Sequence, residues 1–328
     1  MKLVIDSVVP LFALIFAGYL CGRFRVLGGA ATDSLNLFVV WLALPALLFQ
    51  AVAESRWAEV NQPAFIVSIG LGMLVTFALW VGVALGWSRG PARGRGGGRL
   101  SDASIEALAA SYPNSGFMGI PLCLAVFGHD GLHPAIIAAL LTACVLFGLA
   151  LALIEIGLHQ GTGTARALLR VAWTLARNPL LIAPVLGLVL AVAGIPLPGP
   201  LLRFTGLLGG AASPCALVTI GLFLAQTRPA GDVRGGGREV LAIVALKMVL
   251  QPLITGLLVF AVFDLPRLWS SAALLLSALP VGTGPFMLAK LYDRKAAVTA
   301  RAILLSTVLS LLTISALVAW IGRVGGSP

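Results

Sequence analysis

Two stretches of the sequence decide the fold: residues 111–121 read SYPNSGFMGIP, and residues 278–286 read ALPVGTGPF. Each stretch lies inside an apolar segment that is long enough to cross a bilayer. Proline removes a backbone donor and clashes with the preceding helical turn, and neighbouring glycines make a non-helical path easy. Neither segment can therefore remain a regular helix, and we expect both to break near the middle of the membrane.

The two breaks predict a polar site between them. Unpaired backbone groups at membrane depth are tolerated only where they are buried in protein or line a cavity. Each break also creates a half-helix N-terminus with free N–H groups and roughly half a positive charge, which attracts carboxylates and other anions. The alternative is a pair of kinked structural helices without a ligand. The predicted substrate-binding residues are Pro113, Asn114, Ser115, Gly116, Pro280, Gly282, Thr283 and Gly284.

The composition fixes the class of protein around these breaks. The chain has 328 residues, of which 59% are hydrophobic and 10% are charged, against about 45–50% and about 25% in soluble domains. This excludes an ordinary water-soluble globule and predicts an all-α polytopic membrane protein. The net charge of +10 does not indicate a nucleic-acid partner, because the cations collect in short loops between apolar runs, as at the cytoplasmic face of a lipid bilayer.

Ten apolar segments of spanning length are expected. They cover residues 3–22, 33–53, 64–87, 103–127, 132–157, 179–198, 201–226, 239–263, 266–290 and 296–322. We group them as a first five-helix repeat (1–158), a cytoplasmic amphipathic linker (159–178) and a second five-helix repeat (179–328).

The prolines relate the two halves. Prolines in segments 1, 2 and 4 correspond to prolines in segments 6, 7 and 9 at similar offsets along the chain. The pairs are Pro10 with Pro184, Pro45 with Pro214, and Pro113 with Pro280. Because five spans are an odd number, the second copy must enter the membrane from the opposite side. The pattern therefore predicts an inverted repeat, which is typical of transporters, with broken segments 4 and 9 crossing each other.

The loop charges predict the orientation. Loops after the odd-numbered segments carry fifteen Lys and Arg residues, whereas the opposite loops and the termini carry five. Both termini are therefore expected on the non-cytoplasmic side of the cell (inner) membrane. Residues 94–99 form a basic, glycine-rich linker without the ending of a phosphate loop. The pattern of residues 164–176 suits a helix lying on the inner leaflet, with a regulatory partner site as the alternative.

The coupling ion stays open. The acidic residues Asp6, Asp33, Glu106 and Glu155 all fall near predicted segment ends, which disfavours a proton exchanger with a carboxylate at the crossing. Ser111 and Ser277 are candidate sodium ligands, so sodium symport, proton coupling and uniport remain alternatives. No cofactor and no structural metal site are expected.

Four further polar residues are candidate accessory groups. Lys247 and Gln251 lie one turn apart on segment 8, while Thr307 and Ser310 lie on segment 10. Lys247 could balance a substrate anion, but it could also snorkel to the interface or pair with Glu106. The two hydroxyls could face the pathway or bond back to their own helix.

An intramembrane enzyme is the alternative to a transporter. His129, His133 and His159 lie in loops or at a segment end, away from Ser115, so no buried Ser/His pair is indicated. The four cysteines form no CxxC motif. We therefore expect a protein that is not an enzyme, and a non-transporting ligand receptor with the same fold stays an alternative.

The sequence resembles the auxin efflux carrier family, which includes bacterial malonate and malate permeases. The resemblance rests on residues 113–122 in segment 4, on 278–292 in segment 9, and on Asn178-Pro179 with 212–217 around segments 6 and 7. It implies a ten-helix elevator-type carrier in which segments 1, 2, 6 and 7 form a scaffold and the others move. By similarity, Asn114 would contact a substrate carboxylate.

The expected function is thus secondary transport of a small mono- or dicarboxylate such as malonate or malate. A sodium-coupled organic-anion symporter of the bile-acid-transporter type is the alternative carrier, and a homodimer is left open. Plant members of the family often carry a long central cytoplasmic domain. The corresponding loop here, 159–178, is short, so regulation through such a domain is not expected.

Overall fold

The computed structural model describes residues 2–55, 61–87, 98–158, 169, 173, 176–226 and 237–324. The glycine-rich part of the basic loop, residues 94–97, lies outside this range. So does most of the predicted amphipathic linker, of which Leu169, Trp173 and residues 176–178 are described. Within the described ranges the chain is helical, apart from turns and one isolated antiparallel bridge between Pro113 and Val281.

The predicted segments are helical over most of their length, and segments 4 and 9 each consist of two helices. In chain order the helices are α1 (Lys2–Ser7), α2 (Val9–Arg23), α3 (Gly29–Ala53), α4 (Pro63–Trp87), α5 (Gly98–Ser111), α6 (115–127), α7 (132–158), α8 (Pro179–Ala193), α9 (Gly199–Gln226), α10 (Gly237–Val262), α11 (Arg267–Ser277), α12 (Gly284–Leu291) and α13 (Ala296–Val324).

Several helix boundaries differ from the sequence prediction, and the two largest differences are at α8 and in segment 4. Helix α8 ends at Ala193 rather than 198, because Gly194 adopts a left-handed conformation with φ 65° and prolines follow it. The first half of segment 4 begins at Gly98 rather than 103. A short 3₁₀ turn, Gly128–Gly131, separates α6 from α7 and starts with Gly128 at φ 68°.

In the part of the chain that the structure describes, seven helical stretches are long and apolar enough to cross a membrane. They are Val4–Arg23, Gly29–Ala53, Pro63–Gly86, Ser115–Leu158, Gly199–Gln226, Gly237–Val262 and Ala296–Arg323. Helix α8 is apolar but shorter, and the halves of the broken segments are too short to span alone. The chain is therefore a multi-pass helical membrane protein, while the count of ten spans and the inverted repeat stay predictions.

One group of helices packs through very close backbone contacts. Helix α2 lies along α9, and α3 lies along α8 and α9. A Cβ atom added at Gly221 would lie 1.9 Å from the carbonyl oxygen of Ile15, and one added at Gly187 would lie 2.6 Å from that of Phe49. Small residues allow this approach, which drives helix association in lipid. These four helices belong to predicted segments 1, 2, 6 and 7.

The other helices form a second packed group. Helix α5 packs between α4 and α7, and α10 packs against α11 and α13. The broken segments belong to this group, and their interruptions face the first group near α3 and α9. The geometry therefore brings both breaks to one place between two bodies of helices.

Several helices widen just before a proline. Wide, π-helical turns occur at Val39–Ala43, Ser115–Gly119 and Leu246–Leu250. They precede Pro45, Pro121 and Pro252. Proline cannot donate the normal backbone hydrogen bond and its ring crowds the preceding turn, so the helix expands locally. One such turn opens α6 at the first break.

Candidate crossing site

The two interruptions pair with each other through backbone hydrogen bonds. The N–H of Asn114 donates to the carbonyl oxygen of Pro280 at 3.0 Å, and the N–H of Gly282 donates to that of Tyr112, also at 3.0 Å. These bonds form the antiparallel bridge between Pro113 and Val281. Backbone groups released from the helices thus satisfy each other at depth, as an apolar environment requires.

Side chains supply the remaining partners at the second break. The Nζ atom of Lys247 donates to the carbonyl oxygens of Ser277 and Leu279 at 2.8 and 2.7 Å. The N–H of Val281 donates to Oγ of Ser306 at 3.0 Å. Residues 277–282 are therefore held by α10, by α13 and by the other break at once.

The ring of Tyr112 lies against the glycines of the second break. A Cβ atom at Gly284 would lie 2.6 Å from Cζ and 2.8 Å from Oη of Tyr112. A Cβ atom at Gly282 would lie 2.9 Å from the same ring and 3.2 Å from Cα of Asn114. Glycine is needed at both positions because the aromatic ring occupies the space of a side chain.

Two half-helix N-termini meet beside the crossing. Helix α6 begins directly after Asn114, and α12 begins directly after Thr283. The first N–H groups of a helix have no acceptor inside it, and they carry a partial positive charge. The Asn114 and Thr283 side chains thus lie at two positive helix ends.

A small cavity lies at these helix ends. Its volume is about 130 Å³, whereas pockets for drug-sized ligands have about 300–1,000 Å³. Since one water takes about 30 Å³ in the liquid, the cavity suits a few waters or one small solute. Of the predicted site residues, Pro113, Asn114, Ser115, Gly116, Thr283 and Gly284 line it. Pro280 and Gly282 take part in the crossing but are not among its described lining residues.

The cavity wall is apolar around this polar end. Helix α3 contributes Val40, Leu44 and Leu48, and α7 contributes Ala143 and Phe147. None of the described lining residues carries a charged side chain. An anion bound here would therefore be held by helix ends and neutral donors.

Sequence reasoning missed three polar residues of the lining: Tyr112, Thr142 and Asn178. Thr142 Oγ1 lies 3.4 Å from Ser115 Oγ and donates to the carbonyl oxygen of Ala138 at 2.6 Å. The sequence signal for Thr142 was a lone hydroxyl in the middle of an apolar segment. Asn178 caps α8 by accepting from the N–H of Leu180.

The accessory candidates lie outside the cavity. Gln251, Thr307 and Ser310 are buried but are not among its described lining residues. Ser310 donates to the carbonyl oxygen of Thr307. Among the residues that the structure describes, the Gln251 amide and Thr307 Oγ1 have no protein partner.

The two candidate sodium ligands bond to their own helices. The hydroxyl of Ser111 donates to the carbonyl oxygen of Ala107, and that of Ser277 donates to Leu274. Within the described ranges, no group of three or more His, Cys, Asp or Glu side chains could hold a metal ion.

A larger vestibule, with charged residues in its lining, adjoins the cavity. It has a volume of about 480 Å³, and Thr283 and Met287 line both spaces. Asp33, Lys290 and Arg301 line the vestibule. Two cations and one carboxylate give it a net positive charge, which favours the entry of anions.

An ionic cluster ties the helix ends beyond the vestibule. Lys295 pairs with Glu106 of α5 and with Glu239 of α10, the latter at 3.0 Å. Arg294 pairs with Asp102 at 2.6 Å, and this hydrogen bond raises the pKa of Arg294. The corner between α12 and α13 is thereby fixed to α5 and α10.

Known proteins that are similar to this chain over most of its length are membrane transporters. Residues 3–318 match the family described as "Membrane transport protein". A Rhizobium meliloti (strain 1021) protein provisionally named a malonate transporter is 30% identical over 98% of this chain and 96% of its own length. An uncharacterized transporter of Methanothermobacter thermautotrophicus is 27% identical over 94% and 95%. Auxin efflux carrier component 8 of Arabidopsis thaliana is 24% identical over 88% and 89%.

Proposed function

The chain belongs to the membrane transport protein family, which is the auxin efflux carrier family. From this premise we propose that it carries a small mono- or dicarboxylate, such as malonate or malate, across the cytoplasmic membrane. The family and the names of the relatives indicate a membrane transporter and not an enzyme. Carboxylate recognition at the crossing and alternating access are our proposals beyond the membership of the family.

The meeting of two half-helix N-termini at one small cavity carries the proposal. The ends of α6 and α12 direct partial positive charge toward the same space, with Asn114 and Thr283 beside them. Broken transporter helices bind anionic substrate groups at such ends. A carboxylate therefore has donors on both sides of the crossing.

The size and lining of the cavity support a small substrate. The volume of about 130 Å³ leaves little room beyond a short acid, and the aliphatic wall of α3 suits its carbon chain. The Rhizobium meliloti relative carries malonate in its provisional name. We therefore rank malonate and related short acids first for a transport assay.

Ten spans in two inverted repeats are the architecture that we propose. The pairing of α2 with α9 and of α3 with α8 joins segment 1 to 7 and segment 2 to 6. If segments 1 and 2 are exchanged with segments 6 and 7, the first helix pair becomes the second. A two-fold axis in the membrane plane would relate the pairs in this way. We further propose that α2, α3, α8 and α9 form the scaffold and that the second group moves as an elevator.

The vestibule gives the access route in this proposal. It lies among the ends of α3, α9, α12 and α13, which the loop charges predict to be cytoplasmic. The termini are then on the non-cytoplasmic side. Thr283 and Met287 separate the vestibule from the cavity, so their movement would open or close the site toward the cytoplasm.

The test is uptake of a panel of labelled acids into proteoliposomes, with sodium gradients, proton gradients and membrane potentials imposed separately. We expect saturable flux of malonate, malate or a close relative. Replacing Asn114 with Ala should lower kcat/KM for that acid by about tenfold to a hundredfold, since hydrogen bonds to charged groups contribute about 1.5–3 kcal/mol.

Asn61→Ala is the matched control, because Asn61 is an exposed loop residue before α4. It should transport like the unmodified protein. Asn114→Asp should be worse than Asn114→Ala, since it adds a negative charge where the anion binds. Equal flux in all four proteins would remove Asn114 from the site. Binding without flux of any acid under any gradient would indicate a receptor.

A further inference from the structure

A fully buried lysine makes polar contacts outside the cavity. Lys247, in the middle of α10, is 0% exposed, and its Nζ atom contacts the Ser277 and Leu279 carbonyl oxygens at 2.8 and 2.7 Å. In the described part of the chain no carboxylate lies within 4.0 Å of this nitrogen. Glu106, the partner considered from the sequence, pairs with Lys295 instead.

Burying an ammonium group without a carboxylate is costly, so something else must stabilise it. The two carbonyl oxygens lie at and just beyond the C-terminal end of α11. The last carbonyls of a helix lack intrahelical donors, and that end carries a partial negative charge. The ammonium group therefore neutralises a half-helix C-terminus.

In broken transporter helices, unwound carbonyls and half-helix C-termini coordinate sodium ions or protons. Lys247 places the nitrogen of its own side chain at such a position. The next residues along the chain are Pro280, which accepts from Asn114, and Val281, which donates to Ser306. The ammonium group is thus connected to the crossing through two peptide units.

We infer that the second break contains a built-in cation site, occupied by the Lys247 ammonium in place of a coupling sodium ion. This inference rests on the proposed carboxylate transport and specifies its coupling. Lys247 is a positioning residue, since it acts through the backbone of 277–281 and does not line the cavity. Two consequences follow. Transport by the native chain does not require sodium, and removal of the side chain creates a site for a small monovalent cation.

Transport under exchanged cations tests the first consequence. Proteoliposomes are assayed with the transported acid in sodium, potassium or choline chloride at equal ionic strength. We expect rates in the unmodified protein to agree within about twofold. A tenfold loss of flux in choline would overturn the inference, because it would show that a sodium ion is still needed.

Shortening the Lys247 side chain tests the second consequence, that its removal creates a site for a small monovalent cation. Lys247→Ala should lose at least about tenfold of the flux in choline, and sodium or methylammonium should restore it severalfold. Lys247→Met should show the same loss without restoration, because its side chain fills the space. Arg323→Met, which removes an exposed cation at the end of α13, is the control and should be unaffected. Full activity of Lys247→Met in choline would contradict the inference.

Melting temperatures in detergent give a readout that does not depend on flux. Sodium or methylammonium should raise the melting temperature of Lys247→Ala above its value in choline and should leave the unmodified protein unchanged. Stabilisation of the unmodified protein by sodium would overturn the inference even if Lys247→Ala does not fold. If no acid is transported, the proposed function fails, while this comparison still decides whether the cation site exists.

Discussion

Tyr112 sets how closely the two breaks approach each other. Its carbonyl oxygen accepts from Gly282, and its ring covers Gly282 and Gly284. The residue directly before the proline of segment 4 therefore shapes the opposite break. Its role depends on contacts across the crossing, which is why the motif alone did not single it out.

Gly284→Ala should destabilise the crossing. The added Cβ atom would lie 2.6 Å from the Tyr112 ring, and overpacking of this kind costs about 1–3 kcal/mol. The melting temperature in detergent should fall, and transport should fall with it. Gly116→Ala is the matched control for stability, since its Cβ atom would lie 3.8 Å from Leu44 in ordinary contact.

A second substitution tests whether the overlap with the Tyr112 ring causes the destabilisation by Gly284→Ala. Adding Tyr112→Leu to Gly284→Ala should recover part of the lost melting temperature, because the smaller side chain leaves space for the methyl group. If the double variant is less stable than either single variant, the clash with Tyr112 is not the reason for the loss.

Six of the residues that the sequence analysis named for substrate binding line the cavity, because they belong to the two breaks themselves. Proline, glycine and asparagine close together in the sequence indicate a non-helical backbone from their local chemistry alone. Thr142 and Asn178 line the same cavity from distant parts of the chain. No local signal states which helix face meets the crossing, so those residues required the three-dimensional arrangement.

At the scale of the helices, ion pairs connect the corner between α12 and α13 to α5 and α10. Burial lowers the pKa of Lys295, but the hydrogen bonds and charges of Glu106 and Glu239 outweigh it and leave the pKa above its ordinary value of 10.5. Because the folded-state pKa of Lys295 is raised, its contribution to stability is complete below its ordinary pKa and is lost as the pH rises through the raised folded-state pKa.

Lys295→Met should strongly destabilise the second group of helices. It leaves the carboxylates of Glu106 and Glu239, with side-chain exposures of 4% and 14%, without their shared cation. Breaking a buried pair typically costs about 3–5 kcal/mol, and we expect the lower end because Glu239 is partly exposed. The measurement is the melting temperature of the purified protein in detergent.

Neutralising the carboxylate separates charge from packing. Glu106→Gln combined with Lys295→Met should regain part of the stability, and the Trp80 indole N–H, 3.3 Å from Glu106, retains an acceptor. Lys290→Met, at an exposed cation near the same corner, should change the melting temperature little. A loss as large in this control would mean that the buried pair is not responsible.

Helix positions were more predictable than helix partners. Hydrophobic runs and prolines located the segments to within several residues, and the largest differences occurred at Gly98 and Ala193. At Ala193 the left-handed Gly194 ends the helix. The approach of α2 to α9 depends on Gly221 opposite Ile15. Such a contact joins residues about two hundred positions apart, which no periodicity within one segment reveals.

For the molecule as a whole, two packed groups lie on either side of the site, which is the arrangement that the proposed alternating access requires. Cavity and vestibule share only Thr283 and Met287 among their described lining residues. The first group contributes Asn36 of α3 and Phe223 of α9 to the vestibule wall, and the second contributes Ala297 of α13. A relative movement of the groups must therefore change the width of the vestibule.

Linking the two walls should stop transport. With the four native cysteines replaced, Asn36→Cys combined with Ala297→Cys bridges the groups through a short, cleavable dithiol-reactive reagent. Flux should fall in proportion to the linked fraction and return after cleavage, because the substrate can no longer be exposed to alternate sides. Asn36→Cys with Phe223→Cys places both thiols on the first group and should stay active after the same treatment. If fully linked Asn36/Ala297 protein still transports, the groups do not move against each other there, and a smaller gating motion around Thr283 and Met287 would have to supply access.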